Sequence, residues 1–164
     1  MMQPFRRGRS RLLNAAPTIA AMFSPSQTDV RKFFVEARRK RDERLPLTPL
    51  ETIAADWVEA HPEYAADLAD AGAARAATYP ADAGRENPFL HLSMHLSISE
   101  QVSIDQPAGI RQALDLLAAR LGSRHAAQHE AMECLGRMLW DSQQSGRPPD
   151  GDAYVECVRR RATR

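Results

Sequence analysis

The sequence predicts an all-α fold, a single-domain bundle of about six to seven helices around a buried central helix at about 87–106. Three observations carry that expectation. Apolar residues recur at steps of three, four and seven in segment after segment, and strand-like alternation is absent. The segments are bracketed by Ser, Thr, Asn or Asp before a proline or acid, and by glycine or proline behind. The run NPFLHLSMHLSISEQVSIDQ is apolar on most of its circumference, which places it in the middle of a fold.

Each element has a local reason. Ser24-Pro25-Ser26 supplies caps and a proline for a first helix at 27–42, with Val30, Phe33, Phe34 and Ala37 on one stripe. Leu45-Pro46-Leu47 breaks it, and Thr48-Pro49-Leu50-Glu51 combines a capping box with proline at the first helical position. Leu50, Ile53, Ala54, Trp57 and Val58 form the stripe of that second helix. His61-Pro62 ends it and starts a short helix through Tyr64 and Leu68, with His61 read as a turn residue. Residues 71–86, rich in Ala, Gly and Pro, read as a connector without a period. Asn87-Pro88 caps the central helix and Pro107 stops it. A helix at 109–121 ends at Gly122, Ser123 caps another running to about 144, and Asp150 caps a last one from 153 to about 160. The expected core contains Phe89, Leu92, Leu96, Leu114, Leu117, Leu139 and Trp140.

The 164 residues suffice for one domain with a proper core. All 21 acidic residues lie between Asp29 and Glu156, whereas residues 1–21 and 157–164 carry four arginines each. Of 22 basic residues, 14 therefore face 21 acids in the interior, a net of −7. An acidic body argues against a nucleic-acid partner, because phosphate backbones are bound by clustered Lys and Arg. The run Arg38-Arg39-Lys40-Arg41 reads as a solvated helix end that complements the dipole. No apolar run approaches the roughly 18 residues of a membrane span. Cys134 and Cys157 read as separate thiols in a reducing cytoplasm, with no disulfide framework. Residues 1–21, acid-free and arginine-rich, are expected to be a disordered basic leader before a helical domain at 22–161. A protein partner is open, and the oligomeric state is not legible.

His91 and His95 are four residues apart on the central helix, and His125 and His129 are four apart on a later one, so each pair shares a face. Short links make the three helices from 87 to 144 run up, down, up. The middle one descends about 20 Å, which levels the second pair with the first. The four rings then converge, and Glu133, one step beyond His129, adds a carboxylate as fifth ligand or base. Amino-terminal helix turns favour the neutral ring that a metal needs. Such donors suit one divalent transition metal, zinc, iron or manganese. His125-Ala126-Ala127-Gln128-His129 resembles an inverted zinc-protease motif with glutamine where the base glutamate belongs, which argues against proteolysis. The Glu-x-x-His order of di-iron bundles is also missing.

The run NPFLHLSMHLSISEQVSIDQPAGIR, then HEAMECL, then GRPPD with Tyr154 after it, resembles a bacterial family known as the domain of unknown function 1841, over about residues 22–158. That resemblance implies a chain beginning near MFSPS. It carries no activity, substrate or proven site, and its histidine-bearing motifs coincide with His91, His95, His125 and His129.

Two functional classes follow. One is a metal-binding helical protein, of uncertain catalytic status, with His91, His95, His125, His129 and Glu133 at its centre. The other is a structural or protein-interaction module in which the histidines form a buried polar network. A pH-responsive cluster lies between them, since four close imidazoles cannot all take up protons cheaply.

Overall fold

The computed structural model describes residues 27–80, 84 and 86–164. The leader at 1–21, the Ser24-Pro25-Ser26 start and part of the 71–86 connector lie outside them. The described elements are α1 (Gln27–Asp42), α2 (Pro49–Glu59), a 3-10 turn (Pro62–Tyr64), α3 (Ala71–Ala76), α4 (Pro88–Ile104), α5 (Ile110–Leu121), α6 (Arg124–Ser145) and α7 (Gly151–Thr163). Among the described residues there is no strand, and the architecture is the expected all-α bundle.

The caps act as the sequence suggests. Thr48 and Glu51 exchange side-chain and backbone hydrogen bonds in a capping box, and the side chains of Asn87, Ser123 and Asp150 accept from backbone N–H groups one turn into their helices. Gly146 closes α6 at φ 65°, a conformation that costs glycine nothing. A Cβ on Gly151 would stand 2.9 Å from the Pro107 ring, so glycine lets α7 begin flush against the turn that ends α4. That turn is held by the Asp105 carboxylate, which accepts the N–H groups of Gly109 and Arg111 at 3.1 Å each.

Helix α4 joins two apolar clusters. Its first half, through Phe89, Leu92 and Leu96, packs with Phe34, Ala37, Ala54 and Val58. Its second half, through Ile98 and Val102, packs with Leu114, Leu117, Leu135 and Val158. Each fully buried Leu, Ile or Phe contributes about 1.5–3 kcal/mol, so a helix gripped at both ends is the most constrained element available to carry a site.

Four expectations need correction. Trp140 is 60% exposed instead of buried. The core stripe of α6 is Ala127, Ala131, Leu135 and Met138, whereas Trp140 sits three residues after Arg137 on the stripe that also holds His129 and Glu133. Leu139 is half-buried against the core. The helix expected through Tyr64 and Leu68 shrinks to a 3-10 turn, and a real helix, α3, opens in the supposed connector because the Asp70 side chain caps Ala73 N–H. Arg31 then pins α3 by donating to the carbonyls of Ala74 and Ala77. Finally, Cys134 and Cys157 are joined in a disulfide, with Cα atoms 5.9 Å apart. Cys134 lies on the core stripe of α6 and α7 folds back onto it, a meeting that separation in sequence does not reveal.

The Arg38–Arg41 run is occupied by ion pairs. Arg39 binds Glu36 and Glu43, Lys40 binds Glu51 at 2.7 Å, and Arg41 binds Asp56 and Glu59. It ties α1 to α2.

Candidate metal centre

All five histidines of the chain meet in one place. Helix α4 presents His91 and His95, the first turns of α6 present His125 and His129, and His61 enters from the backbone turn that follows α2. One ring nitrogen from each of His61, His95, His125 and His129 lies within 4.8 Å of the others. His91 Nε2 joins them, at 3.2 Å from His61 and 3.1 Å from His129. His95 Nε2 is likewise 3.2 Å from His61 and 3.1 Å from His129, and His125 Nε2 is 3.2 Å from His61.

For His61, His91 and His95 the other ring nitrogen explains why Nε2 points inward. His61 Nδ1 is 2.8 Å from the Trp57 carbonyl, which only accepts, so Nδ1 carries the proton and Nε2 a bare lone pair. His91 Nδ1 is 2.8 Å from a Glu86 carboxylate oxygen, so this nitrogen also carries a proton. His95 Nδ1 is 2.9 Å from Gln128 Oε1, while the Gln128 amide nitrogen donates to Ser99 Oγ, which also accepts the Trp57 indole N–H. Gln128 therefore occupies the glutamate position of the inverted protease motif as the acceptor that orients His95. The Trp57 ring stacks on His95 at 3.8 Å and 14°, and meets His125 edge-on at 5.4 Å, which locks both imidazoles.

The electrostatics favour neutral rings. Burial pushes His95 down to about 2, and burial first, then the neighbouring imidazoles, lowers His61 and His129. Desolvation thus outweighs the helix-end field expected from sequence. Burial raises Glu86, but hydrogen bonds from His91 and from the Tyr64 hydroxyl outweigh it, so the carboxylate stays ionised as the acceptor His91 needs.

The arrangement is complementary to a cation. Two neutral Nε2 lone pairs 3.2 Å apart, as on His61 and His95, cannot hydrogen-bond to each other, because neither has a proton to donate. Nitrogens 3.1–3.2 Å apart that both bind at about 2.1 Å subtend about 95–100° at the shared ion, an ordinary coordination angle. A pair at the widest limit of 4.8 Å would sit about 2.4 Å from a midpoint, about 0.3 Å beyond a Zn–N bond, which small ring rotations close.

The four histidines paired in sequence come together, and His61, read there as a turn residue, joins them. It has no i+4 histidine partner, and its only sequence signal is its place one turn after Trp57 at the end of a helix. Glu133 is exposed and lines a cavity beside His91 and His129, outside the group of convergent nitrogens.

No helix among the described residues is long and apolar enough to cross a membrane. Comparison with known proteins finds no match among curated proteins and none among solved structures. The family model described as Domain of unknown function matches residues 26–160, which include every histidine of the centre and all described helices but the last residues of α7. The chain therefore belongs to the family Domain of unknown function (DUF1841).

Proposed function

We propose that the protein holds one divalent transition metal on His61, His91, His95, His125 and His129. The observation that carries this reading is the facing pair of Nε2 lone pairs on His61 and His95, each committed by an acceptor at Nδ1, the Trp57 carbonyl and the Gln128 amide oxygen. Such outer partners are the usual means of fixing a ligand imidazole. An all-imidazole set favours zinc or iron over manganese, which prefers oxygen donors. The sequence-derived role of Glu133 as fifth ligand passes to His61, and its role as base stays within the proposal. We also propose a helical domain at 22–161 with residues 1–21 appended to it. Nucleic acid is not a partner in this reading, since the internal basic run is spent on ion pairs between α1 and α2.

A second reading, a buried polar network without metal, is favoured by the Nδ1 partners of His61, His91 and His95 and by the Trp57 stack. Metal uptake separates the two. Untagged protein should take up about one zinc or iron per chain, and His129→Ala should abolish uptake while retaining the helical circular-dichroism spectrum. Under the network reading the wild type stays metal-free, and the variant loses about 1–3 kcal/mol for a broken buried hydrogen bond.

The proposed compartment is the cytoplasm, on the ground that two cysteines in 164 residues are too few for a secreted disulfide scaffold. The Cys134–Cys157 bond weighs against that compartment, where reducing thiols keep cysteines unpaired, so a cytoplasmic protein should yield Cys134 and Cys157 at least partly as thiols on alkylation of freshly lysed cells. A fully bonded pair would contradict that compartment.

A further inference from the structure

A stripe of α6 continues past the histidines. His125, His129, Glu133 and Arg137 follow one another at four-residue steps, with Trp140 three further on. Beyond His129 the stripe forms one wall of an open cavity of about 600 Å³. His91 and His129 stand at its inner end, Met94 and Met132 line its side, and Trp140, 60% exposed, stands at its rim. The volume suits a small organic molecule.

Gly136 lies in the wall of this cavity, in the interior of a 22-residue helix. A Cβ built there meets nothing within 4 Å, so no neighbouring atom excludes alanine. Glycine at such a position costs about 1 kcal/mol relative to alanine. A local rule broken without packing cause is typical of functional surfaces, and here its effect is to keep the cavity wall bare.

The charges are arranged unevenly. Arg161 is held by Glu130, and Glu86 is engaged by His91 and Tyr64. Among the described residues Arg137 and Glu133 form no ion pair, which leaves a free guanidinium about 12 Å along the helix axis from His129. A guanidinium fork matches a carboxylate in geometry. Glu133, halfway along, repels a second carboxylate at that height.

We infer that this cavity binds a small, elongated organic monoanion, with its carboxylate on Arg137 and its apolar body against Met94, Met132 and Trp140. The far end of the ligand reaches the histidine centre, and only that part of the inference rests on the metal reading.

The test uses the full chain, labelled with nitrogen-15, and follows the Trp140 indole N–H signal, assigned with Trp140→Phe. Hexanoate, adipate and hexanamide are titrated to about 10 mM, well into the weak-binding range, into zinc-loaded and chelator-treated protein whose metal content is measured in parallel. Hexanoate should shift the Trp140 signal saturably, and hexanamide and adipate should bind at least about tenfold more weakly, as should hexanoate to Arg137→Gln. Gly136→Leu should keep its metal content and helical spectrum yet lose hexanoate binding. Should that variant misfold, Gly136→Ala serves instead, with a raised melting temperature and weakened binding expected. Absence of hexanoate binding to folded wild type, or equal binding by the Gly136 and Arg137 variants, would overturn the inference. Hexanoate binding to a chain that takes up no metal would sustain the cavity and remove the metal reading.

Discussion

The α1–α2 face and the histidine centre are both crowded with polar side chains, and they satisfy them in opposite ways. On α1–α2, Arg39, Lys40 and Arg41 meet Glu36, Glu43, Glu51, Asp56 and Glu59, so each of these three cations finds a carboxylate nearby. In the histidine centre like faces like: the Nε2 atoms of His61 and His95 stand 3.2 Å apart, and the groups that accept their Nδ1 protons lie on the far side of the two rings. The first region is electrically complete within the chain. The second is short of one positive centre, and its two buried rings, His61 and His95, are held by Nδ1 hydrogen bonds and by the stack of Trp57 on His95, so that they cannot turn away.

That contrast can be broken most forcefully by supplying the cation. Zinc at about a thousand times its dissociation constant should stabilise the protein by about 4 kcal/mol, by preferential binding to the folded state. Thermal melts with and without zinc check this, and His129→Ala should erase the increment.

Reduction of the Cys134–Cys157 bond, which closes a loop across a sequence separation of 23, should cost about 3 kcal/mol on chain-entropy grounds. It should leave metal content unchanged, because Cys134 lies on the core stripe and His129 on the other. A denaturant melt in dithiothreitol, with metal analysis of the same sample, measures both. Loss of metal on reduction would show that the two regions are not independent.

Acid sharpens the contrast from the other side. His95, His61 and His129 are lowered in the folded protein, so below about pH 6.5 the unfolded chain binds protons that the metal-free folded chain refuses. Stability should therefore fall as pH drops below about 6.5 and keep falling toward the lowered folded values. The centre's share of stability is fully present only above that pH. A metal-free protein as stable at pH 5 as at pH 7.5 would contradict the burial of neutral rings.

The smallest effect belongs to the α1–α2 face. Arg39→Ala should leave the melting temperature within experimental scatter, because its pairs with Glu36 and Glu43 are solvent-exposed and screened by salt.

Much of this was legible in the sequence, and the exceptions share a physical cause. Caps and hydrophobic period marked out α1, α2, α4, α5, α6 and α7, because those signals are local. The two i+4 histidine pairs were visible for the same reason, and short links made their convergence a matter of counting turns. His61 was hidden because Pro62 marks it as a turn residue: it continues the Trp57 and Val58 stripe by one step but lies past the helix end and has no histidine four residues away. The Cys134–Cys157 bond depends on how α7 docks on α6, which no local signal encodes. Trp140 was misassigned to the core because size and hydrophobicity outweighed phase: it shares the stripe of His129, Glu133 and Arg137, and that stripe faces the cavity.

X-ray absorption at the edge of the bound metal tests the central claim most directly. The account expects untagged wild type incubated with zinc to hold about one ion per chain, with four to five nitrogen neighbours at about 2.0–2.1 Å and the outer scattering of imidazole rings. His61→Phe should lower the imidazole count by one. A wild type that remains metal-free after incubation with zinc and iron, or a bound ion surrounded by oxygen with no imidazole signature, would contradict it.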